Sequence, residues 1–339
     1  MTIELHRAGD LLEIRLARPP VNALVPALLD ALATAVRQAP ADGARGIVLA
    51  GGPGVFSAGM DVPHLVKLPD DQLGPAWMSL FDAARALAAS PLPVVAAIGG
   101  HSPAGGCVLA LCCDYRIMAR GPFRIGLNEV QVGLVAPDAI QHLMRRVVGP
   151  YRAERLLVPG ALVDAEQALS IGLVDELVDA GDVTPRAQAW LQDLLKLPEA
   201  AMRATRRIAR ADMVAALEGF TDETLAGFLA EWHSPATQAA LQALVARLGK
   251  SEPPVATGRA GSLTHPLHDG AYTRAPGSPA CSIASSRCAA VTPDPHCSTT
   301  RAGGVPSSSA SNEARSSAGG RKRPSRSVST YGRFRAPGI

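Results

Sequence analysis

The sequence predicts an α/β core of parallel strands and helices, followed by a mainly helical region. Residues 46–50 and 93–98 are short, wholly apolar segments that end at glycines, as buried parallel strands do. Residues 28–36 and 77–87 have the apolar spacing of helices and alternate with those strands. Strands that alternate with helices are typical of α/β proteins.

The remaining elements follow in chain order. Residues 11–16 alternate in hydrophobicity, which predicts a strand with one face in water. Residues 107–112 follow two glycines, which favours the start of a helix, and 114–118 form another predicted strand, with Asp114 capping or pairing locally. Beyond residue 137 we predict a strand at 173–178 and helices at 139–148, 153–157, 165–171, 186–195, 200–211, 217–229 and 237–248.

The last part of the chain differs in composition from the rest. Residues 251–339 contain 16 Ser, 10 Pro and 10 Gly among 89 positions, so this tail has too little apolar surface to offset its conformational entropy, and we expect it to be disordered. Its net charge is +7 within a chain of +3, which leaves −4 for residues 1–250. A mildly acidic body gives no reason to expect a nucleic-acid partner. Three interpretations of the tail stay open: a solvated segment, a partner-binding element, and a frame-shifted or read-through extension.

Cysteine usage and the N-terminus bear on the compartment. No Cys-x-x-Cys and no Cys/His set with zinc spacing occurs, so we predict no metal site. Cys107, Cys112 and Cys113 lie in an apolar segment and are expected to be buried and reduced. No targeting signal and no apolar window long enough to span a membrane is present. We therefore expect a cytoplasmic protein without a membrane partner.

Three segments place glycines and polar residues next to predicted strands: 56–61, 102–107 and 127–134. Loops after the carboxyl ends of parallel strands are where α/β folds bind ligands. Glycine lets the main chain approach a bound group, and free N–H groups at a helix start favour negative charge. Two such N–H groups, one from each of the first two segments, could together hold an oxyanion. The third segment contains Glu129, an isolated carboxylate in an apolar stretch.

The sequences Phe-Ser-Ala-Gly-Met-Asp at 56–61 and Pro-Ala-Gly-Gly-Cys at 103–107, followed by Cys-Asp-Tyr-Arg-Ile at 113–117, resemble the crotonase (enoyl-CoA hydratase/isomerase) superfamily. The resemblance covers about residues 5–250 and implies a ββα superhelix core. It implies three parts: a core with an acyl-CoA site at 1–185, a helical oligomerisation region at 186–250, and the tail at 251–339.

Within the superfamily, Gly-Leu-Asn-Glu at 126–129, continued by Gly-Leu-Val-Ala-Pro at 133–137, is most similar to the mitochondrial type of Δ3,Δ2-enoyl-CoA isomerase. Pro-Val-Asn-Ala-Leu at 20–24 fits the same subgroup. The resemblance implies that Glu129 is the catalytic base and that the N–H groups of Met60 and Gly105 form the oxyanion hole. It further implies a role in binding the coenzyme A ester for Ser57, Ala58, Gly59, Asp61 and Asn128.

The residue types then discriminate among activities. Hydratases of the superfamily use two glutamates, but the position of the first is Val108 here, and Pro137 has no N–H to help hold a water. Dienoyl-CoA isomerases have an aspartate where this chain has Pro137; Asp138, one residue on, stays open as a second carboxylate. The simplest interpretation is an isomerase with a single base, which moves the double bond of a 3-enoyl-CoA to give trans-2-enoyl-CoA in fatty acid β-oxidation.

Two other functions stay open: hydration or another reaction through an enolate, and binding of acyl-CoA without catalysis. In the enzymatic interpretations the substrate is an acyl-CoA thioester, and no cofactor is expected beyond the coenzyme A of the substrate. The resemblance also implies a homotrimer or a dimer of trimers.

Overall fold

Two β-sheets form the frame of the protein, and the chain alternates between them. The computed structural model describes residues 2–249; the predicted disorder of 251–339 lies outside the described residues. The strands are β1 (Ile3–Ala8), β2 (Leu11–Leu16), β3 (Gly46–Ala50), β4 (Gly54–Val55), β5 (Val94–Ile98), β6 (Gly100–Pro103), β7 (Tyr115–Ala119), β8 (Arg124–Gly126), β9 (Val163–Asp164) and β10 (Glu176–Val178).

The helices surround these sheets. They are α1 (Pro26–Gln38), α2 (Val62–Leu65), α3 (Asp70–Ala89), α4 (Gly105–Leu111), α5 (Asp138–Val148), α6 (Pro150–Leu157), α7 (Ala165–Ser170), α8 (Val183–Leu194), α9 (Glu199–Ala209), α10 (Ala211–Glu218), α11 (Asp222–Trp232) and α12 (Pro235–Leu248). Short 3₁₀ turns occur at Glu129–Val132, called the Glu129 turn below, and at Ala180–Asp182.

The larger sheet has the order β1-β2-β3-β5-β7-β10, antiparallel between β1 and β2 and parallel elsewhere. Strands β3, β5 and β7 each lead into a short strand of the second sheet, namely β4, β6 and β8, and then into a helical segment. This repeated strand–strand–helix unit confirms the predicted ββα superhelix. All residues of β3 and β5 are buried, as their apolar sequences predicted.

Strand β2 was expected to have one face in water, and that expectation is wrong. Glu13 is only 6% exposed, and Nη2 of Arg15 donates to its Oε1 at 2.5 Å. The cause is that the face expected to be in water is covered by α8, because Leu11, on the same face as Glu13, packs in one cluster with Leu191. Alternation alone did not reveal this, since the polar residue that looked like a solvent position is ion-paired.

Helix α8 covers the face of the larger sheet opposite to α1 and α3. Its Leu191 belongs to a cluster with Val48, Val95 and Ile117 of strands β3, β5 and β7. The predicted boundary between residues 185 and 186 therefore falls inside a helix that packs on the core. The described residues belong to one compact unit.

The second sheet, in the order β4-β6-β8-β9, was not predicted. Its strands are two to four residues long, too short to show periodicity in the sequence. Close approach of main chains requires a glycine, because a Cβ on Gly100 would lie 1.9 Å from the carbonyl carbon of Gly54. The sheet matters for function, since it places three site segments side by side.

The helical C-terminal region agrees with the sequence except around residues 210–221. Most of α10 falls between the predicted helices 200–211 and 217–229, and the second of these is interrupted at residues 219–221, before α11 begins. The N–H of Thr221 donates to Oγ1 of Thr224 at 2.7 Å, which caps the start of α11. A helix start inside an apolar stretch is difficult to see in the sequence.

Asp114 connects distant parts of the chain rather than pairing locally as expected. Its Oδ1 accepts from Nε of Arg206 at 2.7 Å and from Nη1 of Arg210 at 3.0 Å. Its Oδ2 accepts from the N–H of Val94 at 2.7 Å. This carboxylate thus joins the end of α9 and the start of α10 to the amino ends of β5 and β7.

Replacing Asp114 by Asn should reduce the free energy of unfolding by about 3 kcal/mol, because two largely buried guanidinium groups lose their counter-charge. Urea denaturation is the measurement. The control is Asp82→Asn, which removes an exposed pair with Arg37 and should cost less than about 1 kcal/mol. Equal losses for the two variants would contradict a special role for Asp114.

Candidate active site

The first candidate donor is the N–H of Met60, in the loop between β4 and α2. The N–H of Leu24 donates to the carbonyl of Gly59 at 2.8 Å, and the N–H of Asp61 donates to the carbonyl of Leu24 at 2.9 Å. In such a parallel bridge the residue between the two bonded groups directs its own N–H the other way. Within residues 2–249, no acceptor is recorded for the Met60 N–H.

The second candidate donor is the N–H of Gly105, the first residue of α4. A helix leaves its first N–H groups without an acceptor in the helix, and none is recorded for Gly105 in the described part of the chain. The preceding Ala104 has φ 47° and ψ −121°, an uncommon conformation for a residue with a side chain. It is held there because its N–H donates to the carbonyl of Gly126 at 2.8 Å.

These two N–H groups are neighbours. A methyl group added to Gly105 would lie 3.4 Å from the Met60 nitrogen, and one added to Gly59 would lie 3.2 Å from the Gly105 nitrogen. Gly59 also has φ 84°, which favours glycine. The two N–H groups therefore lie close together where the two glycine loops meet; their joint action on one oxygen atom stays a prediction.

Ser57, Ala58 and Asp61 surround the first donor, and two of these side chains are used inside the protein. The fully buried Ser57 Oγ donates to the carbonyl of Asn22 at 2.8 Å and accepts from the N–H of Gly59 at 3.1 Å. Asp61 accepts from Arg18 Nη2 at 2.7 Å, while Ala58 is exposed. Ser57 and Asp61 therefore brace the loop; their contact with a substrate stays a prediction.

Asn22 is a supporting residue to which the sequence analysis gave no role. It is buried with φ 49°, its Nδ2 donates to the carbonyl of Phe56 at 3.2 Å, and its Oδ1 accepts from the N–H of Arg18 at 2.9 Å. Asn tolerates the left-handed region because its side chain bonds locally. In the sequence, only its position in the family-like segment 20–24 pointed to a role for Asn22.

Glu129 begins its 3₁₀ turn three residues after β8. Its Oε2 is buried and has no hydrogen-bond partner among the described residues. Burial raises the pKa of this carboxyl to about 7, against a smaller opposing effect of its own backbone N–H. A carboxyl with such a pKa is suited to exchanging protons near neutrality.

Glu129 lies near enough to the first turn of α4 for its charge to act on a residue there. Cys107, two residues after Gly105, is fully buried, and its pKa is raised by burial and then by the charge of Glu129. Strands β6 and β8 fix this proximity, because Pro103 pairs with Gly126. The carboxylate and the second donor are therefore anchored to adjacent strands. Asn128, which precedes the turn, is half-buried, and its place beside a substrate stays a prediction.

No second carboxylate joins Glu129 from the positions considered in the sequence. Val108 lies in α4 and is 1% exposed. Pro137 precedes α5, and Asp138 is 88% exposed and pairs with Arg145 at 2.7 Å. The exposure of Asp138 and its pair with Arg145 argue against the alternative in which Asp138 assists Glu129.

Two clefts lie elsewhere. One of about 610 Å³ lies between the end of α3 and helices α9 and α10, but its Arg206 and Arg210 already donate to Asp114 and to main-chain carbonyls. The other, of about 700 Å³, lies between α1, α2 and α3. Neither is lined by Met60, Gly105 or Glu129, so the candidate site is identified by its chemistry and not by cleft size.

Within residues 2–249, no three His, Cys, Asp or Glu side chains are grouped so that they could hold a metal ion. None of the helices described is both long enough and apolar enough to cross a bilayer.

The raised pKa of Glu129 makes the free energy of unfolding depend on pH. The folded protein binds this proton more tightly than the unfolded chain, so the stabilisation is full below about pH 4.5 and is lost as pH rises through about 7. Gln at this position does not titrate. Relative to wild type, Glu129→Gln should therefore be more stabilising at pH 8 than at pH 5, by about 2 kcal/mol.

Urea denaturation at the two pH values measures this difference. The control is Glu166→Gln, the same exchange on a side chain that is 69% exposed. A constant difference between Glu129→Gln and wild type from pH 5 to pH 8 would contradict the burial of an uncharged carboxyl.

Comparison with known proteins gives the family. The model of the enoyl-CoA hydratase/isomerase family matches residues 6–244. Human mitochondrial enoyl-CoA delta isomerase 1 is 32% identical over 249 residues, which cover 73% of this chain and 82% of that protein. A probable enoyl-CoA hydratase of Mycobacterium avium is 37% identical over 202 residues, covering 59% of this chain and 78% of that protein.

The fold agrees with these sequence relationships. The crystal structure of human mitochondrial delta3-delta2-enoyl-CoA isomerase matches with a TM-score of 0.71 and 30% identity, covering 74% of this chain and 99% of that one. The family match covers more than half of the chain and includes both glycine loops and the Glu129 turn. The chain therefore belongs to the enoyl-CoA hydratase/isomerase family, as its sequence motifs predicted.

Proposed function

We propose that this enzyme is a Δ3,Δ2-enoyl-CoA isomerase that uses Glu129 as its single base and serves fatty acid β-oxidation. The observation that carries the proposal is one buried carboxyl with a pKa of about 7 and an unpartnered oxygen, in a site where Val108 and Pro137 supply no second one. Moving a double bond within an ester needs a proton to be removed and returned, but needs no water. A single carboxylate is sufficient for that reaction.

The proposed reaction begins at C2 of the acyl chain, between the thioester carbonyl and the C3=C4 double bond. Ionised Glu129 removes a proton from C2, and the electrons of that C–H bond move towards the carbonyl oxygen as an enolate forms. The N–H groups of Met60 and Gly105 stabilise the oxygen charge, and loss of one such donor costs roughly 10²–10³ in rate.

In the second half-reaction the protonated Glu129 delivers its proton to C4. The carbonyl re-forms, C2=C3 becomes the double bond, and Glu129 is ionised again. Glu129 therefore both accepts the proton from C2 and delivers one to C4. In the same proposal Asn128 lies beside the acyl group, and Ser57, Ala58, Gly59 and Asp61 lie along the coenzyme A part.

The proposal also covers assembly, cofactors and location. The enzyme would form a homotrimer or a dimer of trimers, use no cofactor beyond the coenzyme A of its substrate, and act in the cytoplasm.

Hydration is the second candidate, because a relative at 37% identity is named a probable enoyl-CoA hydratase. In the hydratases that this family includes, two glutamates hold the attacking water, and the apolar Val108 stands at one of those positions. The third candidate is a protein that binds acyl-CoA without catalysis. A buried carboxyl with a raised pKa has no evident use in such a protein.

Glu129→Gln should reduce the conversion of cis-3-hexenoyl-CoA to the trans-2 ester by at least about 10³-fold, because the amide cannot accept the C2 proton. Appearance of the conjugated thioester in the ultraviolet is the measurement, and Glu166→Gln should keep wild-type activity. Wild-type protein should add water to crotonyl-CoA far more slowly than it isomerises hexenoyl-CoA. A Glu129→Gln variant that still isomerises, or faster hydration than isomerisation in wild type, would exclude the mechanism.

The pH dependence of kcat/KM follows from the same group. Only the ionised form of Glu129 can remove the proton, so kcat/KM should rise with pH through an apparent pKa of about 7. It should level off about one pH unit higher. Initial rates in buffers of constant ionic strength measure the profile. A flat profile between about pH 5.5 and 8.5, which is about one and a half pH units on either side of that pKa, would contradict a base with this pKa.

A further inference from the structure

Helix α12 contacts two parts of the candidate active site. It packs against the Glu129 turn and also against α2, the helix that begins directly after Met60 and Asp61. The segment with the base and the segment with the first oxyanion donor are far apart in sequence, yet both rest on one helix. The position of α12 therefore influences the distance between these two segments.

One hydrogen bond joins α12 to the Glu129 turn. Oγ1 of Thr237 donates to the carbonyl of Gly133 at 2.7 Å, and Thr237 is only 4% exposed, so water does not compete easily. Gly133 ends the turn, and the N–H of the next residue, Leu134, donates back to the carbonyl of Glu129 at 3.0 Å. The Thr237 hydroxyl thus fixes the residue through which the turn closes.

The packing at this contact is close. A Cβ on Gly133 would lie 3.1 Å from Cα of Thr237 and 3.2 Å from Cβ of Ala240. Gly133 also has φ 77°, so both its conformation and its contact with α12 exclude a side chain. The helix main chain lies directly against the turn and leaves it little freedom to move.

Thr237 is itself held in position. Oγ of Ser234 donates to Oγ1 of Thr237 at 2.9 Å and accepts from the N–H of Thr237 at 3.2 Å. The hydroxyl of Thr237 therefore accepts one bond and donates another, in a series from Ser234 to Gly133. Hydrogen bonds in such a series polarise and strengthen one another.

The surroundings of the turn are almost free of charge. Helix α4, residues 156–163 and helix α12 lie near it, and their sequences contain one charged residue, Arg247. The charge of Arg116 acts on Cys107, as that of Glu129 does. Arg247 lies ten residues beyond Thr237, roughly 15 Å along the helix. The remaining titratable neighbour is the thiol of Cys107. Access of water is the factor that a displaced turn would change, because burial is the largest cause of the raised pKa of Glu129.

We propose that Thr237 is a positioning residue that holds the Glu129 turn in place through the Gly133 carbonyl, so that the carboxylate keeps its buried position beside α4. Its catalytic consequence rests on the isomerase function proposed above, whereas the effect on the carboxylate itself does not. Helix α12 would thereby act on the base without touching the reacting atoms.

Thr237→Val tests this, because valine keeps the shape of the side chain and removes the hydroxyl. We expect kcat for cis-3-hexenoyl-CoA to fall about 10- to 100-fold, since a base displaced by about 1 Å loses alignment, while KM changes less than about threefold. We also expect the Glu129 carboxyl to titrate at lower pH as water reaches the turn. Difference infrared titration of each protein against its Glu129→Gln counterpart measures that shift without turnover.

Two further variants and one control complete the design. Thr237→Ser restores the hydroxyl and should recover most of kcat, and Ser234→Ala should give a smaller loss than Thr237→Val. The control is Thr224→Val, which removes a hydroxyl of the same kind from the cap of the neighbouring helix α11 and should leave both kcat and the titration unchanged.

The outcomes separate the two proposals. A Thr237→Val variant with the kcat and the Glu129 titration of wild type would overturn the positioning role. A loss of kcat that Thr237→Ser does not recover, with an unchanged Glu129 titration, would overturn it as well. If wild-type protein fails to isomerise, the proposed function fails, yet a shifted titration in Thr237→Val still supports the positioning of the carboxylate.

Discussion

The site depends on keeping one ionisable carboxyl away from water while the protein stays folded at neutral pH. Burial favours the uncharged form of Glu129 and raises its pKa to about 7, and within residues 2–249 this carboxyl forms no ion pair. An arginine beside Glu129 would stabilise the carboxylate and make it a weaker base. The apolar walls from α4 and α12, with Val108 where a second glutamate would stand in a hydratase, preserve its basicity.

Other parts of the fold maintain this unfavourable arrangement. Ala104 and Asn22 adopt left-handed conformations, and each is held by hydrogen bonds to residues in other segments. Strained residues persist where the surrounding structure over-determines them, and they cluster at functional sites. Here the second sheet supplies that support through main-chain pairing, while Ser57 and Asp61 brace the loop that contains Met60. The fully apolar strands β3 and β5 form the rigid base on which the loops stand.

The C-terminal helices serve the site as well as the core. Asp114 draws α9 and α10 to the amino ends of the strands, at the opposite edge of the sheet from the candidate active site. Helix α12 returns to the other edge and packs on the Glu129 turn. The chain thus ends its described part in direct contact with the residue on which the proposed chemistry depends. A region that the sequence suggested for oligomerisation is also part of the environment of the base.

The sequence by itself determined the α/β class, the two glycine loops and Glu129 as the lone carboxylate candidate, because buried strands, glycine turns and missing carboxylates are local properties. It also led to the family, since the matching residues are contiguous. The second sheet, the ion pair of Glu13, the long-range role of Asp114 and the contact between Thr237 and Gly133 were decided by tertiary structure. Each joins residues that are unremarkable in their own segments, and burial, which sets the pKa of Glu129, is a property of all the segments packed around it and of none alone.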